Sequence, residues 1–502
     1  MLGRHMDGKP NRISLALIPV LIWATAGPCL GTASVNVPLW HWSYQHLERL
    51  VDYGLIDSAM LATRPISRIE MARLIQQVLE DPKLSALDGS LKASIKRLQE
   101  EFRCELETLA SPRLPGQVDY IKPIEDPYLE VLHGDNDFDL ENRAGDVFES
   151  GTNLRMGFVS RATLFERFAF SIHPEYRNPW HTDTSIELVD GYAKSQIGPI
   201  EIELGRDALW WGPGHHGSLI LSNNARNLGM LKVSTPEPIQ LPWPLQGLGP
   251  FKAVYFLTRL ESDRDHPNAR LTGLRMSIKP RPWLELGGSR TIIFGGEGVP
   301  GVGLDDYLAI FWPKNIQGYE DQRASLDATI WLTMPSQVPF RSIKTYIEWA
   351  GEDADGFSKY VPLVGLKLND IGRLGNTDLR LEYATTHVKD FPNVFYNHGF
   401  YYSGYTYHGR VLGHHMGTDA QDMFVRIDHY LTNTLQLGLA YDWQESNLSG
   451  KSRPTSQQYG IDLLWFAPRN WQVFAGYRWQ EDRSDGLTER RHILDIAVVY
   501  NF

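Results

Sequence analysis

The stretch WQVFAGYRW, residues 471–479, alternates large apolar side chains with polar or small ones. Every second residue from Trp471 to Trp479 is apolar or aromatic, whereas Gln472 and Arg478 lie between them. A period of two residues is that of a β-strand, in which successive side chains point to opposite faces. Aromatic residues at both ends with apolar residues between them are typical of a strand that contacts lipid on one face.

The same two-residue period recurs along most of the chain. The clearest further examples are residues 326–332, 343–349, 379–383, 435–443 and 494–502, the last ending in Phe502. Long charged side chains fall on the opposite face of these strands, and they include Lys344, Glu348, Arg380, Glu382 and Arg478. About 375 residues at some 20 per strand give 16 to 20 strands, and barrels of this type have an even number. We therefore predict a transmembrane antiparallel β-barrel of about 18 strands over residues 128–502.

A water-soluble β-sandwich would show the same alternation in any one strand, with the charged side chains as its outer surface. The start of the chain argues against that alternative, because residues 1–33 resemble a secretory signal peptide. Arg4, Lys9 and Arg12 precede an apolar run of about 11 residues, which is too short to span a bilayer as a helix. Cleavage after Ala33 would leave Cys104 as the single cysteine, so we expect no intrachain disulfide.

Residues 34–110 follow a different, helical period, and we predict a small α-helical bundle there, located in the periplasm. Its predicted helices are one around Leu47 to Ile56, one from an N-cap at Ser67, and one over residues 91–109. Residues 40–72 are similar to a single S-layer-homology repeat, a module that grips cell-wall polymers. The bundle therefore either contacts the cell wall or packs on the barrel. Residues 111–127, which begin SPRLPG, are predicted to be a linker.

Composition excludes some functions. The formal net charge of −11 disfavours a nucleic-acid-binding protein. The sequence contains no nucleophile elbow, metal-binding helix signature or phosphate-binding loop in a suitable context, so we expect no enzymatic activity and no cofactor. The adjacent pairs His215-His216 and His414-His415 could bind metal, but neighbouring side chains point apart in a strand, and we expect no metal site.

The most distinctive segment is GRDALWWGPGHHGSLILSNNAR, residues 205–226. It resembles a block of the Wzi family of outer-membrane capsule-assembly proteins, which carry a closely similar Arg-x-x-x-Trp-Trp-Gly-Pro-Gly motif followed by Ser-Leu-Ile-Leu-Ser-x-Asn-Ala-Arg. Residues 321–327 and 409–420 resemble two further motifs of that family, although Asp321 replaces the expected Asn.

The resemblance implies a surface lectin that takes part in capsule or exopolysaccharide assembly at the outer membrane. Sugars stack their apolar faces on aromatic rings, and Arg, Asp and Asn supply directed hydrogen bonds. The candidate polysaccharide-binding residues of this segment are Arg206, Asp207, Trp210, Trp211, His215, His216 and Asn224. The alternative is structural: Arg206 and Asp207 pair in the lumen, and the Gly-Pro-Gly turn only folds an inward plug.

A second candidate patch is the aromatic segment of residues 395–408, which we expect to lie in an external loop. Its candidate glycan-binding residues, together with one from the adjoining motif, are Tyr401, Tyr402, Tyr405, Tyr407 and His414. Aromatic loops also form belts at the membrane interface, so both interpretations stay open. The expected partners are capsular or extracellular polysaccharide and outer-membrane lipid, with a cell-wall polymer as a further partner of the helices. The alternative function is a diffusion porin for sugars or ions.

Overall fold

A closed antiparallel barrel of 18 strands dominates the computed structural model. The structure describes residues 33–82, 84, 87–110, 120–165, 167–179, 185–300, 303, 307, 319–352 and 359–501. The strands are β1 Tyr120–Gly134, β2 Gly151–Leu164, β3 Phe168–Pro179, β4 Ser185–Ile197, β5 Ile200–Asp207, β6 Leu228–Ser234, β7 Pro250–Arg259, β8 Arg270–Arg281, β9 Leu284–Phe294, β10 Asp321–Thr333, β11 Ser342–Glu352, β12 Tyr360–Asn369, β13 Thr377–Thr385, β14 Gln421–Tyr430, β15 Leu435–Glu445, β16 Thr455–Ala467, β17 Trp471–Ser484 and β18 Leu487–Tyr500. Each strand pairs with its neighbour in the chain, and β18 pairs with β1 to close the barrel. The predicted fold and strand number are confirmed.

The two faces of the strands differ in chemistry as the alternation predicts. Outward-facing apolar side chains such as Leu326, Ile347 and Leu381 are exposed on the outer wall. Charged side chains at alternate positions, including Lys344 and Arg380, are buried inside the barrel. An apolar outer band with every backbone group paired in a closed sheet is the arrangement that hydrocarbon requires.

Four helices precede the barrel: α1 Ser43–Asp52, α2 Arg68–Leu79, α3 Gly89–Glu101 and α4 Arg103–Ala110. The Ser67 side chain accepts a hydrogen bond from the Glu70 amide, so the N-cap of α2 is confirmed. The helix expected over residues 91–109 is instead divided at Phe102. The cause is tertiary: Phe102 is fully buried, and Arg68 donates to the Glu101 carbonyl at 2.8 Å. No helix among the described residues is long and apolar enough to cross a membrane.

The helical bundle lies inside one end of the barrel rather than beside it. Glu48 of α1 accepts hydrogen bonds from Lys344 Nζ at 2.6 Å and Arg380 at 2.7 Å, and it lies 3.6 Å from Lys367 Nζ. Asp52, one turn later, accepts from Lys367 Nζ at 2.6 Å. These cations come from β11, β12 and β13, so α1 is fixed to the lumenal wall by buried ion pairs. The side chains that give residues 40–72 their repeat-like pattern pack in the same interior cluster.

The helices contact short turns at one end of the barrel, whereas two of its longest connections lie at the opposite end. Arg49 donates to the carbonyl of Gly375 in the turn of residues 370–376, at 2.6 Å. The connections of residues 208–227 and 386–420 leave β5 and β13 at the other end of the wall. The lumen therefore has a helical end and a loop end.

The first barrel strand begins at Tyr120, so the expected boundary at Tyr128 was wrong and residues 120–127 are not linker. The register of β1 shifts on both sides of Glu125, which breaks the two-residue period that marked the other strands. The rest of the expected linker, residues 111–119, lies outside the described residues, as do residues 1–32 of the expected signal peptide and Phe502.

Candidate functional site

The connection of residues 208–227, called here the inward segment, folds into the lumen from the end of β5. Its Trp210-Trp211 pair forms a two-stranded antiparallel sheet with Thr63-Arg64 from the helical region. The Gly212 amide donates to the Ala62 carbonyl at 2.9 Å. The helical end and the loop end of the barrel are thus joined by backbone hydrogen bonds through the lumen.

Both tryptophans of this segment are interior residues. Trp211 is 0% exposed, and its ring lies edge-on to Phe256 with the centroids 5.3 Å apart. Trp210 is also buried. Neither ring faces the outside of the barrel, so in this conformation both stabilise the interior.

Two lumenal carboxylates hold the Gly-Pro-Gly-His-His turn. Glu382 of β13 accepts hydrogen bonds from the amides of His215 at 2.7 Å and His216 at 2.9 Å. Glu348 of β11 accepts from the Leu219 amide at 3.0 Å. Buried charges are expensive unless they are hydrogen-bonded, and here backbone amides donate to Glu382 and to one oxygen of Glu348. The charged face predicted for these strands therefore binds the inward segment.

The other predicted residues of this segment divide by exposure. Asp207 is buried and accepts from Lys232 Nζ at 3.1 Å and from Asn36 at 2.7 Å. Asn224 is buried and donates to a backbone carbonyl of residues 386–420. Arg206 and His215 are exposed, and Arg206 does not pair with Asp207 but donates to a carbonyl of β4 at 2.8 Å. Arg206 is therefore open to a ligand outside the barrel, whereas the exposed part of His215 faces the lumen beside Phe424.

The candidate residues of residues 386–420, called here the mouth loop, also differ in exposure. Tyr401 and Tyr405 are buried and donate to Gly295 O at 2.9 Å and Thr291 Oγ1 at 3.0 Å. Tyr407 and His414 are buried as well. Tyr402, in contrast, is 78% exposed. Four of the five candidate residues of this patch are thus interior, and Tyr402 is the one that faces solvent.

Tyr402 and the half-buried Phe400 form an aromatic surface with two residues from other connections, His266 and Tyr319. Phe400 stacks on His266 with centroids 4.4 Å apart and lies 5.0 Å from Tyr319, which is 46% exposed. Asp265 accepts from the Tyr402 amide at 2.6 Å and anchors the loop there. We call His266, Tyr319, Phe400 and Tyr402 the mouth surface. Three separate connections build it, so only the folded chain shows that they meet.

A cavity of about 370 Å³ lies inside the barrel between the helical region and the lumenal wall. The Trp40 ring borders it near Tyr128 and His173, with centroids 6.3 and 6.2 Å away. Arg155 and Arg177 line the same space and are both paired with carboxylates. Aromatic rings beside charged donors can bind a sugar. Trp40 belongs to the residues 40–72 that resemble an S-layer-homology repeat, and that pattern gives no sign of this position.

One histidine from each adjacent pair lies in a common cluster. The rings of His216 and His415 have centroids 4.6 Å apart, and each ring faces an aspartate, Asp442 and Asp422 respectively. His414 packs so closely on Gly217 that a side chain there would meet its ring at 2.2 Å. Neither histidine pair lies in a strand, which removes the geometric reason for expecting no metal there.

Comparisons with known proteins agree with this architecture. A family model described as capsule assembly protein Wzi matches residues 131–492. An uncharacterised 55.8 kDa protein in the cps region of Klebsiella pneumoniae is 29% identical over 180 residues, which cover 34% of this chain and 33% of that protein. The chain thus matches about a third of the length of this relative.

Among solved structures, the chain is similar to Wzi of Escherichia coli, an outer-membrane protein involved in group 1 capsule assembly and described as a carbohydrate-binding β-barrel. The TM-score is 0.70 at 19% identity, over 93% of this chain and 99% of that one. Pseudomonas aeruginosa OprD gives a TM-score of 0.48 at 10% identity, over 78% and 97% of the two chains. The family model covers more than half of the sequence, and the chain therefore belongs to the Wzi capsule-assembly family.

Proposed function

We propose that this chain is a non-enzymatic outer-membrane barrel that binds capsular or extracellular polysaccharide and takes part in its assembly at the cell surface. The observation that carries the proposal is the mouth surface, an exposed aromatic patch on the loops of a barrel of this family. Solvent-exposed rings on loops held by a rigid scaffold are typical of recognition sites.

The chemistry of the mouth surface suits a sugar polymer. The exposed Tyr402 ring offers a flat apolar face, on which the C–H face of a pyranose can stack, and the half-buried Phe400 lies beside it. Arg206 and the half-exposed Arg226 supply charge-assisted donors at the two ends of the inward segment. Among the predicted residues, Arg206 and Tyr402 are therefore our proposed direct contacts. The buried ones, such as Trp211, act by holding the inward segment in place.

We further propose that the helical end faces the periplasm and that the mouth surface faces the cell exterior. Barrels of the outer membrane have short periplasmic turns and longer external loops. The turns of residues 370–376 and 431–434 lie against the helices, whereas the inward segment and the mouth loop leave the other end. The helices contact lumenal residues of the wall, which supports a plug rather than a module that binds the cell wall.

The porin alternative predicts free passage of ions. Against it, α1 is bound to three strands near the helical end, and the inward segment is bound to β11 and β13 from the loop end. We expect the purified barrel to show little conductance in a planar bilayer. Large, voltage-independent conductance of the intact chain would favour a diffusion porin.

Polysaccharide retention on whole cells tests the mouth surface. We expect Tyr402→Ala to lower the retained polymer, because it removes a 78% exposed ring without disturbing the core. The matched control is Trp243→Ala, which removes an 86% exposed ring at the helical end. Heat-modifiable gel mobility should show normal barrels in both variants. Unchanged retention after replacing Tyr402, Phe400 and Tyr319 together by alanine would rule out this surface.

The enzymatic alternative is tested on the same polymer. We expect the chain length of purified polysaccharide to stay constant during incubation with the barrel. Shortening that depends on the folded protein would contradict the non-enzymatic part of the proposal.

A further inference from the structure

Four side chains with metal-binding chemistry meet at the loop end of the lumen. His216 comes from the inward segment, His415 from the mouth loop, Asp422 from β14 and Asp442 from β15. Each offers one ligand atom, and these atoms all lie within 4.8 Å of one another. His216 is far in sequence from the other three, and it meets them because both connections fold against the same two strands.

The spacing fits a small divalent ion. His216 Nε2 lies 3.4 Å from Asp442 Oδ2, and His415 Nε2 lies 3.2 Å from Asp422 Oδ2. A tetrahedral ion with ligand distances of about 2.0–2.2 Å separates neighbouring ligand atoms by roughly 3.3–3.6 Å. The contact between His216 and Asp442 is longer than an ordinary N–H···O hydrogen bond, which spans about 2.7–3.2 Å.

The ring of His216 is held in place from several sides. It stacks on Phe424 with centroids 4.0 Å apart and planes 9° from parallel. Its amide donates to Glu382 at 2.9 Å, and its carbonyl accepts from Asn142 at 2.7 Å. A ligand positioned in this way loses little conformational freedom when an ion binds.

One carboxylate of the cluster also has an oxygen without a hydrogen-bond partner among the residues that the structure describes. Asp442 is 5% exposed, and its Oδ1 is buried without a hydrogen-bond partner among the described residues. Asp422 is also buried, so two carboxylates share one interior site. Two neutral imidazoles and two carboxylates would together neutralise a doubly charged cation. Imidazole ligands favour zinc and its transition-metal neighbours over calcium or magnesium, which prefer oxygen.

We propose that His216, His415, Asp422 and Asp442 bind one divalent transition-metal ion of the zinc class. The ion ties the inward segment and the mouth loop to β14 and β15. Its role is structural, since it fixes the loops that carry the mouth surface, and it is independent of whether that surface binds polysaccharide.

The test titrates the refolded full-length barrel with Zn²⁺ alone after the protein has been stripped with a chelator and purified without a histidine tag. Calorimetry should give one Zn²⁺ per chain, and Co²⁺ in its place should show the visible absorption of a tetrahedral site. We expect Asp442→Asn and His216→Gln each to weaken Zn²⁺ binding at least about 100-fold, since even outer-shell changes cost 10- to 100-fold. His133→Gln, which changes an exposed histidine of β1, is the matched control and should bind normally.

A second measurement follows the loops themselves. With free Zn²⁺ at 100 times its dissociation constant, protease cleavage of the inward segment and the mouth loop should slow about 100-fold in the parent chain. The two cluster variants should show no such protection, while their gel mobility remains that of a folded barrel. The absence of stoichiometric binding would identify the cluster as a histidine–aspartate ion-pair network without metal and overturn the proposal. Binding that survives in both variants would do the same.

Discussion

Replacing Glu48 by glutamine tests whether ion pairs hold the helical plug in the barrel. Glu48 and Asp52 face Lys344, Lys367 and Arg380, and all five side chains are buried. The substitution keeps the size of the side chain but leaves three buried cations with one carboxylate among these five residues. Breaking a buried pair by neutralising one partner costs about 3–5 kcal/mol, because the remaining charge stays desolvated. At 1.36 kcal/mol per decade, the undocked population rises by a factor of about 100 to several thousand.

The assay is proteolysis of the helical region in folded barrels, read together with single-channel conductance. We expect Glu48→Gln to speed cleavage within residues 34–110 and to produce intermittent channel openings, whereas the barrel keeps its heat-modifiable mobility. Glu80→Gln makes the same charge change on an exposed residue after α2 and should behave as the parent does. Equal protection of the two variants would refute the assignment of Glu48 as the anchor of the plug.

Three further predictions concern the interior. Burial lowers the pKa of His46 to about 3; its unfolded value is near 6.5, so the stability that it contributes is lost as pH falls from about 6.5 toward 3. Protection of the helical region from protease should fall less steeply with falling pH in His46→Gln than in the parent chain. An equal pH dependence in the two proteins would contradict burial of the His46 imidazole as the cause. Gly214→Ala would place a methyl group 2.0 Å from the Gly217 carbonyl oxygen and should destabilise the inward segment by about 1–3 kcal/mol, whereas Gly229→Ala meets no atom within 4 Å and should show parent-like cleavage. Trp211→Ala should cost about 3–5 kcal/mol and speed cleavage of the inward segment even without polysaccharide; normal protection with lost glycan binding would instead make this ring a direct contact.

The wall of the barrel could be predicted from sequence because its cause is local. Each strand must present apolar side chains to lipid at every second position. The alternating pattern of a segment such as residues 471–479 therefore predicts a barrel strand without reference to the rest of the chain. The local pattern does not predict the start of β1 at Tyr120, because bulges around Glu125 interrupt the period. It also does not predict the break at Phe102, where contacts with Arg68 divide a helix whose pattern continues. At Phe102 tertiary contacts outweigh the local pattern, whereas in β1 the bulges remove the pattern itself.

The candidate site was harder to predict because residue type does not distinguish recognition from packing. A Trp-Trp pair suits stacking on sugar and filling of a core equally well, and only the folded chain shows Trp211 in the core. The mouth surface depends on His266 and Tyr319, whose connections are far from residues 395–408 in sequence. The two histidine pairs were judged separately, although one member of each meets the other in space. Convergence of this kind requires the strand order and register of the closed barrel.

The pairing of Thr63-Arg64 with Trp210-Trp211 bears on the order of events during biogenesis. The helices precede β1, and β1 forms the seam with the final strand, β18. Helices that are hydrogen-bonded to residues in the lumen cannot enter a barrel that has already closed without those hydrogen bonds first being absent or broken. We therefore expect the helices to fold early and the sheet to form around them. The hydrogen bonds between β1 and β18 would then form last and close the barrel.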